Sequence, residues 1–283
     1  MRGTCNVTKS LSVKSVSIST RDDFSSLSIS GGFGKLVLGG NDGVGDNYGV
    51  SMNDLPKEEI YAGVGDDNDL VLTSADIDGL SGDDNKISYH LPAMGGLKAG
   101  VSFMNSGAAG SADSTVFAAS YSMSAGGAAI TIGAASGTTE AASQDTDSQV
   151  MGIEVSSGNI TAAVSQSTYE AAGTALVAAT ANGTASNYAA AVPATDASDE
   201  ESIGAAVSFA VNDSTTITVH TAETDDAVTT ESYSNSGIEI AYTVAPGLKA
   251  TINVEDYDYK AGNSTNNTDN AGTASKLTIK ASF

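Results

Sequence analysis

Apolar residues two apart, repeated in paired segments almost to the end, limit this chain more than any other feature. In "SIGAAVSFAV" (202–211), Ile203, Ala205, Val207, Phe209 and Val211 share one side of an extended strand. In "GIEIAYTV" (237–244), Ile238, Ile240, Tyr242 and Val244 lie opposite Glu239 and Thr243. In "LKATINVED" (248–256), Leu248, Ala250, Ile252 and Val254 lie opposite Lys249, Asn253 and Glu255. The same period predicts strands over 25–30, 34–39, 86–92, 97–104, 115–124, 128–136, 149–156, 159–168 and 215–223. It continues through "KLTIKASF" (276–283), where Leu277, Ile279, Ala281 and Phe283 oppose Lys276, Thr278, Lys280 and Ser282. Terminal residues usually fray; these are patterned as a strand.

The connections alternate in length. Short ones at 93–96, 125–127, 157–158, 212–214 and 245–247 are separated by long polar ones at 105–114, 137–148, 170–201, 222–236 and 258–275. Hairpins with short turns at one end and long loops at the other, on period-two strands, point to an antiparallel transmembrane β-barrel. Sandwiches and β-solenoids also alternate. A solenoid needs a fixed repeat length, and none is present. A sandwich needs heavy inward faces, and this chain has no Trp, 6 Phe and 10 Tyr.

Charge narrows the function. The net charge is -22, with 34 Asp plus Glu against 12 Lys plus Arg. Nucleic acid needs clustered cations, so it is excluded as a partner. The single cysteine, Cys5, allows no disulfide framework and no Cys-rich metal site. No apolar run has the length of a membrane helix, and "MRGTCNVTKSLSV" contains no secretory h-region. No G-x-S-x-G, metal-binding His pair or GK[ST] phosphate loop occurs, so the residues argue against an enzyme. His90 and His220 read as polar residues of an inner wall. A secreted acidic adhesin or surface-layer protein has the same composition and is the alternative reading.

Three stretches carry a family likeness. "SISGGFGKLVLGG" (28–40), "GDDNKISYHLPAMGGLKAGVSF" (82–103) and "KLTIKASF" (276–283) stand in order. Together they resemble the Gram-negative general porins, of the alphaproteobacterial type, over residues 24–283. The likeness implies an outer-membrane channel, a 16-stranded barrel, a homotrimer embedded in outer-membrane lipid, and passive diffusion of small hydrophilic solutes. It also implies that the assembly machinery reads the terminal aromatic, here Phe283. The chain departs from the family in strand number. Thirteen strands are counted from Leu27 onward, and "SLSVKSVSIST" (10–20) supplies a fourteenth. The chain is therefore read as lacking the signal peptide and first strands, with 1–22 as an uncertain amino-terminal segment and 23–283 as the barrel.

Residues 41–85 are read as the constriction loop, folded into the lumen. They hold 12 acidic residues and one lysine. A structureless loop of this length is usually functional. Within it "NDLPKEEI" predicts a short helix, with Asp54 as N-cap and Glu58 and Glu59 in its first turn. Asp66, Asp67 and Asp69 add to the acidic lining. Asp76, Asp78, Asp83 and Asp84 offer hard oxygen ligands, and calcium is a possible occupant; no cofactor is required. From Ala99 to Leu248 there is no Lys or Arg. Lys35, Lys86, Lys98, Lys249, Lys276 and Lys280 flank this gap, each opposite the apolar face of its strand. If the last strand pairs with the first, they gather into one basic wall facing the acidic loop. Acid outweighs base, so the expected channel is weakly cation-selective.

Overall fold

A computed structural model describes residues 13–21, 24–55, 85–105, 113–140, 145–171, 197–262 and 269–282. The alternating segments form 14 strands: β1 (Val13–Arg21), β2 (Phe24–Gly31), β3 (Gly34–Gly40), β4 (Asn85–His90), β5 (Leu97–Asn105), β6 (Asp113–Ala125) and β7 (Ala128–Glu140), then β8 (Thr146–Ser157), β9 (Ile160–Ala171), β10 (Ser198–Asn212), β11 (Thr215–Asp226), β12 (Ser232–Ala245), β13 (Leu248–Lys260) and β14 (Asn270–Ala281). Every strand pairs with the next in one antiparallel sheet. The short connections turn on glycines. Gly96, for example, has φ +95°, and a Cβ there would strike the Ser122 carbonyl oxygen.

The two faces of this sheet reverse the order of a water-soluble protein. Many of the buried strand residues are small or polar, Ser88, Ser102, Ala118, Ala163, Ala206, Thr218 and Glu239 among them. The exposed ones are large and apolar, with Phe117 at 61%, Leu277 at 64% and Ile279 at 66%. Ile160, Phe209, Ile217, Ile240, Ile252 and Leu277 stand directly opposite one another across β9 to β14, forming one apolar row. On β10 the outward apolar positions run from Ile203 to Val211, a length that crosses a hydrocarbon core when tilted. Beyond them, toward the long loops, Glu201 and Asp199 are exposed. A face of this kind is stable against lipid and unstable against water.

Two sequence expectations change. The strands run further toward the long loops than their apolar stretches: β10 begins at Ser198 and β13 ends at Lys260. Cross-strand hydrogen bonds continue where outward apolar residues stop, because backbone pairing does not depend on side-chain hydropathy. Lys260 is thus a strand lysine outside the expected set, ion-paired with Asp258 at 2.8 Å. The second change concerns closure. Among the described residues β1 and β14 each pair on one side only, so the sheet is not closed between them. Alternation specifies which face is inward. Closure depends jointly on strand number, shear and tilt, and alternation fixes none of these.

Candidate pore constriction

The segment 41–55 leaves β3 and crosses the inner face of the sheet. Asn41 donates to the Gly39 carbonyl at 2.7 Å and accepts from the Ser88 hydroxyl at 3.0 Å. Ser88 in turn shares a hydrogen bond with Ser102, and the Val44 N–H donates to Ser102 Oγ at 3.0 Å. These contacts start a short helix, α1 (Val44–Tyr48). Val44 is fully buried in a cluster with Val116, Ala118, Ala135 and Val150, on β6, β7 and β8. At the end of α1, Tyr48 Oη and His90 Nδ1 share a hydrogen bond of 2.7 Å, with the rings edge to face.

A second anchor lies on the next three strands. Met52 and Leu55 pack against Ala163, Ala206 and Ala222 on β9, β10 and β11, and the Met52 N–H donates to Ser165 Oγ at 3.0 Å. Residues Met52–Asp54 form a single 3-10 turn. Its cap is Ser51, whose hydroxyl accepts from the Asn53 N–H, while the Asp54 carboxylate accepts from the Ser51 N–H. The structure gives Asp54 a place in the turn that precedes the expected helix. The residue closes a capping box begun by Ser51, because its carboxylate satisfies the N–H that a cap leaves free. The helix expected over "NDLPKEEI" extends past the described residues, and the described helix, α1, lies upstream of it.

Two polar cavities have this segment as one wall. The first, of 230 Å³, is lined by Lys35, His90, Asp42 and Asn47 together with serines of β1 and β2. The second, of 420 Å³, is lined by Asp54, Glu154, Asp213 and Lys249, with hydroxyls from Ser156, Thr161, Ser208 and Thr216. Lys249 makes no ion pair among the described residues, so in this cavity base and acid face each other across open space.

The inner face of β11 to β13 carries a further charged group. Glu239 and Glu255 are almost fully buried. His220 Nε2 lies 3.9 Å from Glu255 Oε2, and Asn235 donates to the other Glu255 oxygen.

The expected lysine wall presupposes pairing of β14 with β1, which the described residues do not make. Lys35 lines the first cavity and Lys249 the second. Lys249 stands directly opposite Lys280 in register, and Lys276 opposite Asn253. Lys86 is buried, at 4% exposure, and engaged in interactions. Lys98 is exposed on β5. The described pairing joins Lys35 on β3 to neither β13 nor β14. Glu58, Glu59, Asp66, Asp67, Asp69, the calcium candidates Asp76, Asp78, Asp83 and Asp84, and Phe283 lie outside the described residues. Among the described residues no three His, Cys, Asp or Glu side chains converge to hold a metal. Asp213 and the Tyr48–His90 pair escaped the sequence reading. The first sits in a turn, outside any alternating pattern, and the second joins residues far apart in the chain.

A family model described as Gram-negative porin matches residues 13–263. Among solved structures, the fold is similar to an anion-selective porin from Comamonas acidovorans: TM-score 0.54, 16% identity, covering 91% of this chain and 76% of that one. It is also similar to OmpT of Vibrio cholerae, with TM-score 0.57, 13% identity, and 97% and 85% covered. The outer membrane channel DcaP of Acinetobacter baumannii gives TM-score 0.56, 9% identity, and 95% and 79% covered. No curated protein sequence matches.

Proposed function

This chain belongs to the Gram-negative porins and is a channel of the bacterial outer membrane; we propose that it passes small hydrophilic solutes by diffusion, with a weak preference for cations. The observation that carries the preference is the 420 Å³ cavity, where Asp54, Glu154 and Asp213 face the one lysine, Lys249. Charges in a narrow, partly desolvated passage are screened less than those on a surface. Three carboxylates against one ammonium raise the local cation concentration and repel anions. The acidic run 58–84, which continues the same segment, adds to this sign. The Comamonas porin is anion-selective, and at 16% identity it is a guide to fold and not to charge.

The proposed diffusion needs no catalytic step. His90 shares a hydrogen bond with Tyr48, and His220 faces Glu255 on the wall. The assembly proposed with this function is a homotrimer in outer-membrane lipid, with Phe283 as the residue that the assembly machinery reads. Calcium on the acidic run is kept as a proposal, with Asp76, Asp78, Asp83 and Asp84 as its ligands.

Planar-bilayer recording tests the function. The purified protein should give stepwise conductance, and under a salt gradient its reversal potential should carry the sign of cation preference. Absence of channels overturns the diffusion reading; anion preference overturns the charge assignment alone.

A further inference from the structure

Over six strands, one register row of the inner face has no side chain larger than serine. Ser120, Gly133, Gly152, Ser165, Gly204 and Ala222 stand directly opposite one another from β6 to β11. Residues 48–52 lie over this row. A Cβ on Gly133 would stand 2.5 Å from the Tyr48 carbonyl oxygen and 2.7 Å from Val50 Cγ2. One on Gly152 would run into the Val50 carbonyl. One on Gly204 would stand 2.9 Å from Met52 Cε. Ser165, between the last two, accepts the Met52 N–H.

The dimensions agree with a chain laid straight across the strands. Strands sit about 4.8 Å apart, so β7 to β10 span about 14 Å. Four residues of extended chain cover about 13–14 Å. The segment therefore advances along the row at the rate an extended backbone allows, in contact with the wall's own backbone at Gly133 and Gly152.

We propose that Gly133, Gly152 and Gly204 set the calibre of the channel. Resting on the proposed diffusion reading, the inference concerns size and not charge. A missing Cβ lets the 48–52 backbone lie against the wall, and each atom added beneath it lifts it toward the open passage. The open cross-section, and with it the size limit for solutes, then depends on these three positions. Glycine is needed at Gly152 for space, since the clash there is with backbone, which cannot rotate aside.

The test is single-channel conductance together with the flux of neutral sugars of graded size into liposomes. Gly152→Val should lower conductance by at least ~1.5-fold and exclude the larger sugars first, because flux follows open cross-section. Gly204→Ala should give a smaller decrease, since Met52 is a flexible side chain. It keeps the test decisive if Gly152→Val does not fold, as read by heat-modifiable migration. Gly32→Ala, where a Cβ meets nothing within 4 Å, should leave both readouts unchanged. Folded variants with unchanged conductance, or with conductance that rises because the segment has left the wall, overturn the inference. Since the sugars are neutral, that outcome leaves the charge preference untouched. A silent unmodified protein would instead overturn the diffusion reading itself.

Discussion

His220 reaches Glu255 by lying over a residue with no side chain. The two are separated in register by Gly237 on the intervening strand, β12, and His220 Nε2 lies 3.9 Å from Glu255 Oε2. A Cβ on Gly237 would stand 2.6 Å from His220 Cε1, inside the ring's van der Waals surface. Gly237→Ala should therefore push the imidazole off Glu255 and cost about 1–3 kcal/mol, the usual effect of overpacking. Urea unfolding from lipid vesicles measures this. Gly32→Ala should stay within about 0.5 kcal/mol, as open surface positions do.

The outer face makes a second prediction. Ile240 is exposed at the centre of the apolar row that runs from Ile160 to Leu277. Against lipid, Ile240→Arg should destabilise the folded protein by about 2–4 kcal/mol, as cations at the midplane of a barrel do. The same vesicle assay reads it. A change below about 0.5 kcal/mol would mean that this face does not meet hydrocarbon.

The second cavity makes a prediction about sign. Asp54→Asn combined with Glu154→Gln should lower the cation-to-anion permeability ratio by roughly twofold, and Lys249→Gln should raise it, because these charges are only partly screened. Reversal potentials under a salt gradient decide it. Equal ratios in all three proteins would remove the cavity from the conducting path.

Tyr48 makes a local prediction. Tyr48→Phe removes the hydrogen bond to His90 and leaves Val44 in its apolar cluster. The loss of about 0.5–1.5 kcal/mol should speed amide exchange in α1 by roughly two- to tenfold. The exchange of β6 and β7 amides should not change. A global acceleration would show that the pair supports the whole sheet.

Much of this fold was legible in one dimension. Because side chains alternate across a strand, the period-two runs told which residues of β10 or β13 share a face, and the short and long connections told which end of each hairpin is tight. The outward apolar row and the inward Lys249, Asn253 and Glu255 follow from that counting. What counting lacks is distance between strands. It did not show that Gly133, Gly152 and Gly204 fall in one row with Ser165, because the offset between strands is set by pairing and not by any one strand's pattern. It placed Lys35 beside Lys249, Lys276 and Lys280 by assuming closure, and the described sheet leaves β1 and β14 unjoined. Alternation in the sequence decided which side of the wall each residue takes. Only the tertiary structure decided what comes together on the inner face: Asp54 and Lys249 on one cavity, Tyr48 with His90, and a backbone segment with the glycines that make room for it. Those meetings depend on a long loop returning to strands far away in the chain, and the energy that holds it there comes from packing and hydrogen bonds between segments that carry no sign of one another in their own sequence.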